Sequence, residues 1–363
     1  MTEATHTPFI SRRKRMASAG VSLLATGALV LAGCAQEESE ADEASGEQSE
    51  DLTEVTVVTF LPLESLTFTP EMYAEAGGYF EEHGLDVTLE PVQGTPAAVQ
   101  ATIGGAGLMT RVDTTDVMPS MEDGQPLTAV GTMTYASSLR MVSSMENPIE
   151  SAEDIEGLTI GMGSVGGTSE TTLDLALQDA DVPGDSVDRQ ATQVSAATLE
   201  LVRQGTLNGY IASLDTAMSL DQQNDDMMIA SAGLTDAPTQ QTWVTASSAL
   251  DDPESVEQIE AVLAAVQEAV NDVAADEEND FENVIEVLRG EYSFPALDDD
   301  EAAQAALEAY TNEIWVDPSG QVDRIENDLD GWSSIYEDYT TAGLVEGDGD
   351  PDTWITNDHV PGN

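Results

Sequence analysis

Short apolar runs alternate with helical repeats along most of this chain. Residues 55–60 form a short apolar run rich in β-branched residues, the pattern of a buried parallel strand. Thr69-Pro70 then places a hydroxyl where a helix N-cap belongs and a proline at the first helical position. Met72, Tyr73, Ala76 and Tyr79/Phe80 follow at helical spacing and give one apolar face, and Gly84 supplies a left-handed stop. Residues 85–92 read as the next strand, and Gly94-Thr95-Pro96 repeats the loop-to-helix device. Further strands are predicted at 106–110, 127–133, 139–144, 158–162, 187–191, 207–212, 227–231 and 242–246. Helices are predicted at 115–121, at 169–180, and from a Ser195 cap to Gln204.

From Asp251 the pattern is helical only. Val256, Ile259, Leu263, Val266, Val270 and Val273 share one face behind Asp252-Pro253, and 281–288 and 302–314 are further candidates. Val322, Ile325, Leu329, Trp332, Tyr336 and Tyr339 mark one long amphipathic helix. Strands alternating with helices, then a helical tail, predict an α/β fold with the tail packed back on one lobe.

In an open parallel sheet the loops beyond the strand C-termini line the ligand crevice, and helix N-termini there present free N–H groups. Leu63, Ser65, Phe68 and Thr69 sit on the first such loop and Gly94 and Thr95 on the second. Ser164, Gly166, Gly167 and Thr168 follow a strand and open a helix, as Ser195 does further on. This glycine-rich turn lacks the Gly-Lys-Ser/Thr of a P-loop and the spacing of a dinucleotide fingerprint. Its N–H groups still suit a carboxylate, sulfonate or phosphate. Arg111 is the sharpest single candidate, an arginine at the cleft end of a strand. It reads either as a bidentate anion contact or as an ion pair with Asp113 or Asp116. Tyr135, Trp243 and Phe68 could stack on a ligand or pack the core.

Charge changes the picture of the surface. The 363 residues include 70 acidic and 10 basic ones, a formal charge of −60. Four of the basic residues, Arg12, Arg13, Lys14 and Arg15, lie at the N-terminus. Such a surface repels nucleic acid and anionic membrane, and with an ordinary apolar fraction it indicates a folded protein adapted to high salt. The basic start, the apolar stretch 21–31 and Leu31-Ala32-Gly33-Cys34 predict a signal peptide over 1–34 ending in a lipobox, with Cys34 lipidated. Ser11-Arg12-Arg13 hints at twin-arginine export, while Met16 and Ala17 fit that route poorly. Residues 35–53 are acidic and small, a flexible tether.

The inventory disfavours catalysis. No lysine follows Lys14, Cys34 is the single cysteine, and beyond the leader the histidines are His83 and His359, both read as solvated. A Schiff base or a thiol nucleophile therefore has no residue to carry it. Asp348, Asp350 and Asp352 alternate as in a calcium loop, but Thr353 and His359 stand where such a loop needs a glycine and a glutamate. Residues 344–363 are read as a polar tail, and neither cofactor nor metal is expected.

Gly78-Tyr79-Phe80 with Gly84-Leu85-Asp86-Val87, the run 151–161 (SAEDIEGLTIG) and the run 201–210 (LVRQGTLNGY) together resemble the NMT1/THI5-like group of ABC-transporter solute-binding proteins, for nitrate, sulfonates, taurine and thiamine precursors. Asn208-Gly209 departs from the Asp-Ala pair usual there, and the cysteine-rich motif of the pyrimidine-synthase members is missing. The resemblance implies a type II periplasmic-binding fold of two α/β lobes with a hinge and a helical C-terminal tail. Lobe one would take residues 55–140 and 242–343, and lobe two 141–241. It also implies a monomer that closes on a small molecule or oxyanion and meets ABC permease subunits, held to the membrane by its lipid. Two other readings stay open, an extracellular enzyme on the same fold and a sensory lipoprotein without transport.

Overall fold

The computed structural model describes residues 52–163, 165, 167–192 and 198–362. Cys34, Ser164, Gly166 and Ser195 lie outside the described residues, as do the leader and nearly all of the tether. The chain begins with β1 (Thr53–Thr59), α1 (Thr69–Ala76), α2 (Tyr79–Glu82), β2 (Leu85–Pro91), α3 (Thr95–Ile103), β3 (Met109–Asp113), α4 (Thr114–Glu122) and β4 (Leu127–Thr134). It continues with β5 (Leu139–Ser144), β6 (Thr159–Met162), α5 (Thr168–Asp179), β7 (Asp188–Ala191), α6 (Leu199–Arg203), β8 (Gly209–Ser213), α7 (Leu214–Gln223) and β9 (Met227–Ala230). After β10 (Gln241–Ala246) come α8 (Pro253–Ala275), α9 (Glu282–Glu291), α10 (Pro295–Asp298), α11 (Asp300–Ala309) and α12 (Leu329–Ala342).

The strands form two five-stranded sheets, ordered β2-β1-β3-β10-β4 and β7-β6-β8-β5-β9. Each sheet is mixed: β10 runs antiparallel between β3 and β4, and β5 runs antiparallel between β8 and β9. The chain thus enters the second sheet on β5 and returns to the first on β10, each time into an interior slot. These two crossings join the two sheets. Local sequence explains the pieces. In edge strand β2, Leu85, Val87 and Leu89 alternate inward against exposed Asp86, Thr88 and Glu90, the pattern of a sheet covered on one face. Gly107 lets the chain run against β1, since a Cβ there would meet Val58 Cγ2 at 2.3 Å. Helix α8 starts where the Asp252 carboxylate accepts the Ser255 N–H at 3.4 Å, and it buries Ile259, Leu263, Val266, Val270 and Val273.

Several elements differ from the sequence reading. The first helix breaks at Gly77-Gly78, the latter at φ 84°. Thr69 does not cap it: Phe68 holds the cap position, and Ser65 caps a preceding 3-10 turn by accepting the Thr67 N–H at 3.3 Å. Strand β3 begins three residues later than the predicted 106. Helix α7 had no counterpart in the pattern reading. Val322 and Ile325 are not helical; Ile325 stands at φ 73° and bridges Thr132, whose N–H it accepts at 2.9 Å. Residues 344–362 are no solvated tail. Val345, Ile355 and Val360 are buried, and Ala129 exchanges backbone bonds with Trp354 and Thr356 at 2.7 and 3.0 Å. The Glu122 carboxylate accepts the N–H groups of Glu346, Gly347 and Asp348. The helical region touches both lobes rather than one, because α11 packs on α7 and Leu214 joins the apolar core built on α8, α9 and α11.

Candidate functional site

Strand direction decides where a site can form. The C-terminal ends of β1, β3 and β4 and the start of β10 lie at one end of the first sheet, and β6, β8, β9 and the start of β5 do the same in the second. Side chains bonded across the lobes show that these ends face one another. In the outer part, Thr168 Oγ1 at the start of α5 donates to Asp116 Oδ2 in the first turn of α4 at 3.0 Å. The Thr95 hydroxyl at the start of α3 lies near the same carboxylate. Burial pushes Asp116 above the usual carboxylate range, while the Thr168 and Thr95 hydroxyls pull it back. Asp113 caps α4, its Oδ1 accepting the Thr115 N–H at 3.0 Å and hydroxyl at 2.7 Å. Burial, with the Asp116 charge adding to it, pushes Asp113 up to about 7.

Deeper in, Asp215 at the start of α7 crosses to the first lobe, where Oδ2 accepts the Leu66 N–H at 3.2 Å. The Tyr310 phenol stands nearby. Burial raises its pKa, the Asp215 charge raises it further, and the hydroxyls of Thr67 and Ser138 act the other way. None of these groups meets hydrogen-bond geometry with the phenol. Tyr310 stacks on Trp315, ring centres 5.1 Å apart. Asp215, Ser138, Gln240 and Tyr310 were not singled out in the sequence, and Asp116 entered it only as a possible ion-pair partner of Arg111. On a chain with 70 acids, two more aspartates at helix starts carry no distinguishing signal.

Of the sequence candidates, Thr168 bonds Asp116 and Thr95 lies near it. Gly94 (φ 89°) turns the chain into α3, and Gly167 holds the cap position of α5. Leu63 and Ser65 are half-buried on the loop after β1. Phe68 and Thr69 are buried, and the Thr69 hydroxyl has no partner. Trp243 is 1% exposed in the middle of β10 and belongs to the core. Tyr135 turns from the cleft, its hydroxyl donating to the carbonyls of Asp323 and Glu326 at 2.9 and 2.6 Å.

Arg111 requires a correction. It is 1% exposed, and its partner is Glu71, equally buried, rather than Asp113 or Asp116. Nε donates to Glu71 Oε1 at 2.6 Å and Nη2 to Oε2 at 3.3 Å and to the Thr67 carbonyl at 2.8 Å. Nη1 is bonded to Gln241, and the guanidinium lies 5.3 Å from the Phe68 ring centre. Four of its five donors are engaged inside the first lobe, which removes it as a free anion contact. His83 and His359 also differ from their solvated reading: each is partly buried against a glutamate, Glu268 at 3.3 Å and Glu260 at 3.1 Å.

Two α/β sheets of matching strand order, joined by paired crossings and meeting at their strand ends, define the periplasmic-binding-protein fold. The family described as NMT1/THI5 like matches residues 65–279, and the chain belongs to that family. No curated protein matches it by sequence. Among solved structures, the aliphatic sulphonate binding protein SsuA of Escherichia coli is similar at 14% identity and TM-score 0.61, over 80% of this chain and 91% of that one. The nitrate-binding protein NrtA of Synechocystis is similar at 14% identity and TM-score 0.58, over 85% and 87%. A desulfurization enzyme, DszB, shares the fold at 12% identity and TM-score 0.54, over 85% and 97%.

Proposed function

We propose that the protein is the extracytoplasmic substrate-binding lipoprotein of an ABC importer, taking a small organic molecule or oxyanion between its lobes and delivering it unchanged. The observation that carries this reading is the Thr168–Asp116 hydrogen bond, 3.0 Å long, by which a hydroxyl of one lobe meets a carboxylate of the other. Groups at the mouth of a hinged cleft that bond only when the lobes approach give closure its free energy. In this reading lobe one is the part built on the first sheet, residues 53–134 and 241–362, and lobe two the part built on the second, residues 139–230, with Cys34 carrying the lipid and the acidic stretch before β1 as tether. SsuA and NrtA, binding proteins for a sulphonate and for nitrate, share the fold. The fold also hosts DszB, so binding without turnover is argued from this chain's own residues: His83 and His359 lie against Glu268 and Glu260, and no lysine follows Lys14.

The test is a thermal-shift screen in high salt over sulfonates, nitrate, pyrimidines and amino acids, followed by recovery of whatever binds. A saturable rise in melting temperature with the compound recovered intact supports the receptor reading. Chemical conversion of the bound compound sinks it.

A further inference from the structure

The two crossings between the sheets meet at one guanidinium. Arg140, the second residue of β5, is 7% exposed. Its Nη1 donates to the carbonyls of Ser137 and Leu139, where the first crossing enters β5, at 3.3 and 3.1 Å. The same nitrogen donates to Thr235 Oγ1 in the second crossing at 3.1 Å. Nη2 points the other way, out of the second lobe, and donates to Glu313 Oε2 at 3.2 Å. Glu313 belongs to a π-helical turn, Tyr310–Ile314, that follows α11. Such turns are rare and recur at functional sites. This one also receives the first crossing directly, the Ile314 carbonyl accepting the Tyr135 N–H at 2.8 Å. The second crossing opens through two left-handed residues, buried Ala232 at φ 48° and Gly233 at φ 80°, a shape that an alanine holds only under constraint. Burial works against the Arg140 charge, and the Glu313 carboxylate answers it. Arg111–Glu71 and Arg289–Asp300 stay within the first lobe, and Arg189 and Arg203 find their carboxylates within the second. Arg140–Glu313 joins one lobe to the other.

We propose that Arg140 is a positioning residue for lobe closure: its guanidinium clasps the two crossings to each other and, through Glu313, seats the second lobe on the π turn of the first. This rests on the receptor reading and adds to it the contact that sets how far the empty protein stands closed. A guanidinium suits the place because its planar fork serves acceptors on two sides at once, which the single nitrogen of a lysine cannot do. Glu313 is 58% exposed, so the seat can part into water without stranding a buried carboxylate. Arg140 keeps its bonds to Ser137, Leu139 and Thr235 meanwhile. The contact is thereby weak enough to break at each opening and strong enough to bias the balance between parted and joined lobes.

The Leu66 N–H, held by Asp215 of the opposite lobe at 3.2 Å, supplies a readout that needs no ligand. Its hydrogen exchange in the full chain, followed by NMR at one fixed salt concentration, reports parting of the lobes. The Val57 N–H, in β1 between β2 and β3 and 1% exposed, reports the fold of the first sheet. The expected result is Leu66 exchange about fivefold faster in Glu313→Gln, the worth of one partly exposed ion pair, and at least as fast in Arg140→Lys, with Val57 unchanged in both. Glu313→Gln placed on top of Arg140→Lys should add little, because both act through one contact. Arg203→Lys, which alters a surface pair with Asp226, is the control and should leave both amides as they are. Leu66 exchange equal to that of the parent in either variant overturns the proposal. So does matched acceleration of Leu66 and Val57, which would make Arg140 a prop of the whole fold, and so does full additivity of the two changes. The two readings fail separately: the receptor falls on conversion of a bound compound, whereas the role of Arg140 falls on Leu66 exchange in the empty protein.

Discussion

Replacing Arg111 with methionine is predicted to damage the fold of the first lobe, not to delete a ligand contact. Arg111 and Glu71 are both about 1% exposed and share two hydrogen bonds, at 2.6 and 3.3 Å. The guanidinium also binds Gln241 at the start of β10 and the Thr67 carbonyl before α1. The variant would leave the Glu71 carboxylate buried and unpaired, and breaking a buried pair from one side costs roughly 3–5 kcal/mol. Loss of the contact with Phe68 adds about 1 kcal/mol. Against a typical total stability of about 5–15 kcal/mol, this leaves the native state marginal. Urea titration at fixed salt, followed by tryptophan fluorescence, reads the change. The double variant Glu71→Gln/Arg111→Met removes both charges and should recover most of the loss, since a buried pair replaced as a unit is often nearly neutral. If Arg111→Met changes stability by less than about 1 kcal/mol while ligand affinity falls, the assignment of Arg111 to the scaffold is refuted.

Asp113 gives a pH signature. Its folded pKa of about 7 lies above the ordinary value of 3.8, so the stability tied to its protonated form is full below that ordinary value and lost as pH rises through about 7. Asp113→Asn should flatten the fall in melting temperature over that interval; an unaltered pH profile would remove Asp113 as its source. Thr168→Val deletes the hydroxyl that reaches Asp116. Ligand affinity should drop about tenfold, the worth of one hydrogen bond to a charged group, and small-angle scattering should show a more open average shape; identical scattering and affinity would count against the latch. Dialysis from high to low salt should lower the melting temperature, because screening holds together a surface of formal charge −60. A salt-independent melting temperature would contradict this.

Legibility followed range. β1, β5 and α8 could be read from a few neighbouring residues, because a β-branched run or a 3/4 apolar repeat with its own cap is a local signal. Helix α7 escaped because Leu214, Ala217 and Leu220 are spread among polar residues, and its apolar partners come from α11, some ninety positions later. Ile325 fits a helical repeat on paper, yet its pairing with Thr132 at the sheet edge prevails over that periodicity. The threonines at helix starts could be seen as cleft residues. The carboxylate that Thr168 reaches could not, since nothing local separates Asp116 from its many acidic neighbours. Arg111 was visible as an exception to the composition, but Glu71, forty residues earlier, decides its role.

The interior position of β10 has a consequence for how the protein is made. Residues 53–134 supply four strands of the first sheet but leave a gap between β3 and β4. That gap is filled only when residue 246 has emerged, after the entire second sheet. A nascent chain therefore carries an unfinished amino-terminal half past the point where many domains would already have set. Such late completion keeps the polypeptide pliable during synthesis, and a chain cut anywhere before β10 should be captured by chaperones or degraded rather than accumulate as a stable half.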